Sequence, residues 1–184
     1  MGADEFCDLS AADLRRLYAA RQLSPVEVAE GLLERIEAVD ATLNAFVTVT
    51  HDQALAQAKA AEKLFDGTAD PPPLAGIPFT LKDLTATDGI RTTRGSLLYK
   101  DWIPDYNAPL AQRMLDAGGV LLGKTNTPEL GWKGDSTNRV AGSTHNPWQH
   151  GRSPGGSSGG AAASVAAVTT PSGAPVVSTG CLVT

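Results

Sequence analysis

The stretch Arg152-Ser153-Pro154-Gly155-Gly156-Ser157-Ser158-Gly159-Gly160-Ala161 concentrates groups that can do chemistry. Its four glycines around Ser157 and Ser158 open backbone conformations closed to other residues, so main-chain N–H groups and hydroxyls can converge on one small volume. The small-residue run at 161–167 can start a helix whose N-terminus favours negative charge. A serine in such a loop needs a proton acceptor to act. His51, His145 and His150 show no recognised ligand spacing and none is placed as a base, which leaves lysine. Lys82 closes the apolar run Ile77-Pro78-Phe79-Thr80-Leu81, where burial would disfavour the ammonium form and lower its pKa. On spacing alone, Lys82 reads as a strand-end lysine reaching into water.

Two other motif matches fail on context. Gly118-Gly119-Val120-Leu121-Leu122-Gly123-Lys124-Thr125 fits the phosphate-binding P-loop pattern letter for letter. That motif must lie between a strand and a helix, whereas here a helix pattern precedes it and strand-like residues sit inside it. Gly155-Gly156-Ser157-Ser158-Gly159 fits the nucleophile elbow of serine hydrolases, yet no apolar strand precedes it and no acid and histidine follow in order.

The 184 residues suffice for one domain with a real core, and 42% hydrophobic content indicates a globular chain. A net charge of -5 argues against a nucleic-acid partner, since the few basic residues are scattered. No apolar run is long enough to span a bilayer, so no membrane partner is expected. Cys7 and Cys181 read as reduced thiols of a cytoplasmic protein, without a targeting segment. The final Cys181-Leu182-Val183-Thr184 scans as a prenylation box, but threonine is not a usual last residue and no basic cluster lies nearby.

The elements that must position these groups are legible from periodicity and caps. Ser10 with Asp13 starts a helix carrying Leu14, Leu17 and Tyr18 on one face. Ser24, Pro25 and Glu27 form a capping box with proline at the first helical position, followed by the stripe Val28, Leu32, Ile36 and Val39, with Glu30, Glu34 and Glu37 facing water. An alanine-rich helix is predicted from Thr50 to Phe65, ending at Gly67. Residues 77–82 read as a strand, 108–117 as a helix closed by Gly118 and Gly119, and Val120-Leu121-Leu122 as a strand buried on both faces. Beyond Gly123 the sequence reads as loop through Gly151. Helix followed by buried strand predicts an α/β architecture.

Four blocks in order give the chain a resemblance to a known family: Leu74-Ala75-Gly76-Ile77-Pro78-Phe79-Thr80-Leu81-Lys82-Asp83, Gly123-Lys124-Thr125-Asn126-Thr127-Pro128-Glu129-Leu130, Asn146-Pro147-Trp148 and Gly155-Gly156-Ser157-Ser158-Gly159-Gly160. The sequence resembles the N-terminal part of an amidase signature enzyme over residues 10–167. That resemblance implies an α/β fold with a mixed sheet flanked by helices and a helical lead-in. It also implies a Ser-Ser-Lys triad that hydrolyses carbon–nitrogen bonds of a small non-peptide amide without cofactor or metal. Position by position, Lys82 takes the base role and Ser157 the bridging role on a cis peptide, with Ser158 as a supporting hydroxyl. Asp83 and Arg152 would hold loops in place, and Ser136 and Thr137, with Asn138, fall where the family's loop lines the substrate pocket. A homo-oligomer is compatible with the resemblance. Two rival readings are a glutaminase resembling the A-type component of glutamyl-tRNA amidotransferases and a non-catalytic interaction remnant.

Residues 168–184 depart from the family pattern, which continues into a G-T-D-x-G-G-S-I-R type segment supplying the nucleophilic serine and oxyanion donors. The family's interval from Ser157 lands on Cys181, and no charged residue follows Arg152. A change of reading frame after Ala167 would produce this pattern. The expectation is a divergent tail and weak or absent activity, together with exposed apolar surface that lowers solubility.

Overall fold

The computed structural model describes residues 9–67, 70–168 and 177–178. Cys7, Cys181 and most of the divergent tail lie outside them, and the readings made for those residues stay at sequence level.

The helical lead-in forms as its caps dictate. Helix α1 (Ala11–Ala19) begins on a complete Ser10/Asp13 capping box and buries Leu14 and Tyr18. Helix α2 (Pro25–Leu43) begins on the Ser24/Glu27 box with Pro25 in its first turn and buries Val28, Leu32 and Ile36, while Glu30, Glu34 and Glu37 are exposed. Asn44, at φ 53°, ends it in the left-handed conformation that asparagine tolerates better than most residues. Helix α3 (His51–Gly67) turns Ala54, Ala58 and Ala61 inward, where small side chains let it lie close to α2.

Between α2 and α3 runs strand β1 (Phe46–Val49), which the sequence reading did not foresee. Four residues are too few for a periodic signal, and the partner that makes them a strand lies more than 70 positions downstream. Strands β2 (Pro78–Lys82) and β3 (Val120–Thr125) pair in parallel, joined through helix α4 (Pro109–Asp116), and β1 pairs antiparallel on the other side of β3. A backbone pairing with β6 (Val177–Ser178) completes the order β1-β3-β2-β6. The sheet is mixed, as expected for this α/β class.

Strand β3 is buried along its whole length, because both of its faces are covered. Val120 and Leu122 pack with the α1–α3 side, and Leu121 packs with Phe79, Leu81 and Ile90 on the other. Turn residues alone put a loop after Gly123, whereas the family resemblance makes Gly123-Lys124-Thr125 the end of a strand; the strand does continue through Lys124 to Thr125. Gly123 makes that possible, since a Cβ there would collide with the Thr48 carbonyl of the neighbouring strand. Farther on, β4 (Thr137–Asn138) and β5 (Gly142–Ser143) form a short ribbon inside the region read as loop.

The structure agrees with setting the P-loop match at Lys124 aside, since its residues form a strand rather than a loop. The side chain is 0% exposed, and its amine donates to the Thr85 carbonyl (2.7 Å), Thr87 Oγ1 (3.1 Å) and Thr92 Oγ1 (2.6 Å). These contacts tie β3 to the segment that leaves β2 immediately after Lys82. Asp83, also fully buried, accepts from the Thr93 N–H (3.0 Å) and hydroxyl (2.5 Å), so it holds the same segment in place. Burial pulls the Lys124 amine down to about 8, against an opposing pull from Asp83, and pushes the Asp83 carboxyl up.

This packing has measurable consequences. Leu81→Ala should cost roughly 2–5 kcal/mol in chemical denaturation, because its site between strand and helix cannot collapse freely. Between about pH 8 and the ordinary lysine value of 10.5 the unfolded chain holds more protons at residue 124 than the folded one. The contribution of Lys124 to stability therefore rises with pH across that window and is lost as pH falls through about 8. Denaturation midpoints at several pH values should show a rise that Lys124→Met removes.

Candidate functional site

Lys82 is the last residue of β2, at the carboxyl end of a parallel strand, where side chains emerge from a sheet toward a crevice. Its register partner across the pair is Thr125, and the chain continues from there through Asn126 and Thr127. The glycine-serine loop crosses this edge before helix α5 (Gly159–Val168) begins. Lys82 Nζ lies 2.7 Å from Ser157 Oγ and 3.1 Å from Ser158 Oγ. The Gly156–Ser157 peptide is cis.

The electrostatics of this contact are set by what surrounds the amine. Lys82 is half-buried, and among the described residues its hydrogen-bond partners are the two hydroxyls, with no carboxylate in ion-pair contact. Burial lowers its pKa from the ordinary lysine range, and among the described residues no carboxylate pairs with it to oppose that shift. A lysine placed so exchanges protons with a hydroxyl more readily than one in water.

The loop is held from beneath by the 124–138 segment. Thr127 Oγ1 donates to the Ser157 carbonyl (3.1 Å), and Asn138 Nδ2 donates to the Thr127 carbonyl (2.7 Å) and Asn126 Oδ1 (2.6 Å). Asn126, Thr127 and Asn138 are buried, and their polar groups are spent on one another, on the loop and on the β4–β5 ribbon and the residues around it. Glycines make the contact possible: a Cβ on Gly156 would strike the Asp135 carbonyl, and one on Gly160 would strike the Asn126 backbone. Ser136 is 1% exposed, accepts from the Gly159 N–H (2.8 Å) and donates to the Gly155 carbonyl (3.2 Å). Thr137 is half-buried in the β4–β5 ribbon, its hydroxyl 3.1 Å from that of Ser143.

The structure therefore brings together Lys82, Ser157 and Ser158, sets Ser136 behind the loop and leaves Thr137 on the adjoining ribbon. Asp83 anchors the segment after Lys82, and Arg152 contributes its carbonyl to the Asn146 N–H. Sequence reasoning quoted Asn126 and Thr127 within a motif but assigned them no task. Their signal was weak, because short polar residues after a strand read first as a loop. Among the described residues, no cluster of three or more His, Cys, Asp or Glu side chains is assembled, and no helix is long and apolar enough to cross a membrane. The cavity between α1, α2 and α3, lined by residues such as Tyr18, Ser24, Glu62 and Phe65, includes none of the groups around Lys82.

Comparison with known proteins agrees with this arrangement. A family model described as "Amidase" matches residues 27–174. An acylamidase of Rhodococcus erythropolis is 45% identical over 86% of this chain and 33% of its own length. The A-type component of the glutamyl-tRNA(Gln) amidotransferase of Acidothermus cellulolyticus is 44% identical over 88% of this chain and 32% of its own. The structure of a 6-aminohexanoate cyclic dimer hydrolase superposes with a TM-score of 0.80 at 34% identity, covering 90% of this chain and 33% of that one. The chain thus spans about a third of the length of the relatives it matches. With the family model covering most of its residues, the chain belongs to the amidase family, the amidase signature enzymes.

Proposed function

We propose that the chain carries the proton-transfer half of an amide-hydrolysing centre, with Lys82 as the base and Ser157 as the relay. The 2.7 Å contact between a lysine of lowered pKa and a hydroxyl carries this reading. Neutral Lys82 accepts the proton of Ser157, and Ser157 takes one from a nucleophile that attacks the amide carbonyl. The bond to nitrogen breaks as the proton returns along the same path to the leaving amine, and water releases the acyl group. The Ser158 hydroxyl accepts from the Lys82 amine and so holds it in line.

The substrate in this reading is a small non-peptide amide, in keeping with the acylamidase relative. A second reading, release of ammonia from glutamine for a partner protein, has equal support from the amidotransferase relatives. Residues 168–184 lack the family's donor segment, so turnover by this chain is expected to be low.

The test measures ammonia release from small acyl amides and from glutamine, together with mass-spectrometric capture of an acylated chain. Activity or acylation should rise with pH as Lys82 loses its proton, at a pH below the ordinary lysine value of 10.5. Lys82→Arg and Ser157→Ala should each lower it roughly 10²–10⁴-fold. Turnover that survives Lys82→Arg would overturn the assignment of the base. Amide binding with neither acylation nor turnover would favour the non-catalytic role.

A further inference from the structure

We propose that Ser136 is a positioning residue, a buried clasp that closes the two ends of the loop carrying Ser157 and so keeps that serine against Lys82. The inference rests on the Lys82–Ser157 reading above and replaces the expectation that Ser136 meets substrate.

The geometry is specific. The Ser136 hydroxyl donates to the carbonyl of Gly155 and accepts from the N–H of Gly159, the residues that bracket Gly156, Ser157 and Ser158. One side chain thus binds both feet of a three-residue arch. The hydroxyl's single proton is spent on the loop, one of its lone pairs is occupied and the residue is 1% exposed, so it serves the loop rather than the open crevice. Two further contacts fix Ser136 itself: the Thr144 N–H donates to its carbonyl (3.0 Å), and the Asp135 carboxylate accepts from the next N–H in the chain (3.0 Å). The clasp fits closely because residue 159 lacks a side chain; a Cβ there would come within 2.5 Å of Ser136 Oγ.

The other bonds at the arch, from the Ala162 N–H to the Ser158 carbonyl (3.0 Å) and from the Gly160 N–H to the Asn126 carbonyl (3.3 Å), each hold one end and do not span it. The glycines on either side of its serines contribute no side-chain packing, and Thr127 holds only the Ser157 carbonyl. Without the Ser136 hydroxyl, Gly155 and Gly159 lose their common partner, the arch widens, and the two serine hydroxyls draw away from the Lys82 amine. Water then reaches the amine, which returns toward ordinary lysine behaviour.

The experiment titrates Lys82 in the full chain, by competitive acylation with a limiting amine reagent across pH and mass-spectrometric readout of the peptide containing residue 82. Three proteins are compared: the unaltered chain, Ser136→Ala and Ser164→Ala. Ser164 is equally buried, and its hydroxyl donates to the Ala161 carbonyl within α5, so its loss tests a general weakening of the helix. The expected result is a Lys82 midpoint shifted upward by about one pH unit in Ser136→Ala and unmoved in Ser164→Ala. A midpoint unmoved in Ser136→Ala, or moved equally in both variants, overturns the clasp. An ordinary lysine midpoint in the unaltered chain overturns the proposed base itself. A measurement that needs no variant stands beside these: the Gly159 amide should exchange slowly with solvent, and fast exchange would also overturn the clasp.

Discussion

The contact between the Lys82 amine and the Ser157 hydroxyl is the constraint around which the described structure is arranged. A half-buried lysine turned toward two neutral hydroxyls loses solvation, and among the described residues no carboxylate pairs with it. Such a placement persists only if the surrounding chain holds it. The sheet supplies one wall, by fixing Lys82 at the end of β2 beside Thr125. The glycine-serine loop supplies the other, and it can lie that close because Gly156, Gly159 and Gly160 have no Cβ to keep the backbones apart.

Two lysines on neighbouring strands show how position sorts identical side chains. Lys124 pairs in register with Leu81, one residue from Lys82, yet it enters the interior and spends its amine on three oxygens of the 85–92 segment. Its work is mechanical: with Asp83 it fastens the chain on leaving β2. Lys82 emerges at the strand's end, where a loop and a helix start lie within reach. The first lysine is enclosed by structure on every side, and the second faces groups that can exchange a proton.

The polar residues beneath the loop form a connected set. Asn138, Asn126 and Thr127 hand hydrogen bonds from one to the next until they reach the Ser157 carbonyl, and Ser136 closes the loop's two ends. Buried polar groups are costly unless satisfied, and here each satisfies another. A framework of this kind orients the hydroxyls of Ser157 and Ser158 without contacting the amine itself.

Much of this was open to reading from the sequence. The caps at Ser10 and Ser24, the stripe through Val28, Leu32 and Ile36 and the buried run at Val120 are local patterns, set by bonding and burial within a few residues. The motif blocks named Lys82 and Ser157 and pointed to the family and its α/β fold. Strand β1 and the commitment of the Ser136 hydroxyl to the loop were not legible, because each depends on a partner distant in the chain. By itself the sequence determined the helices, the apolar strands and the residue types available for chemistry, since those follow from local propensity and hydrophobic period. Only the tertiary structure decided which lysine faces the serines and which is sealed inside, because burial and hydrogen-bond geometry are properties of the packed chain.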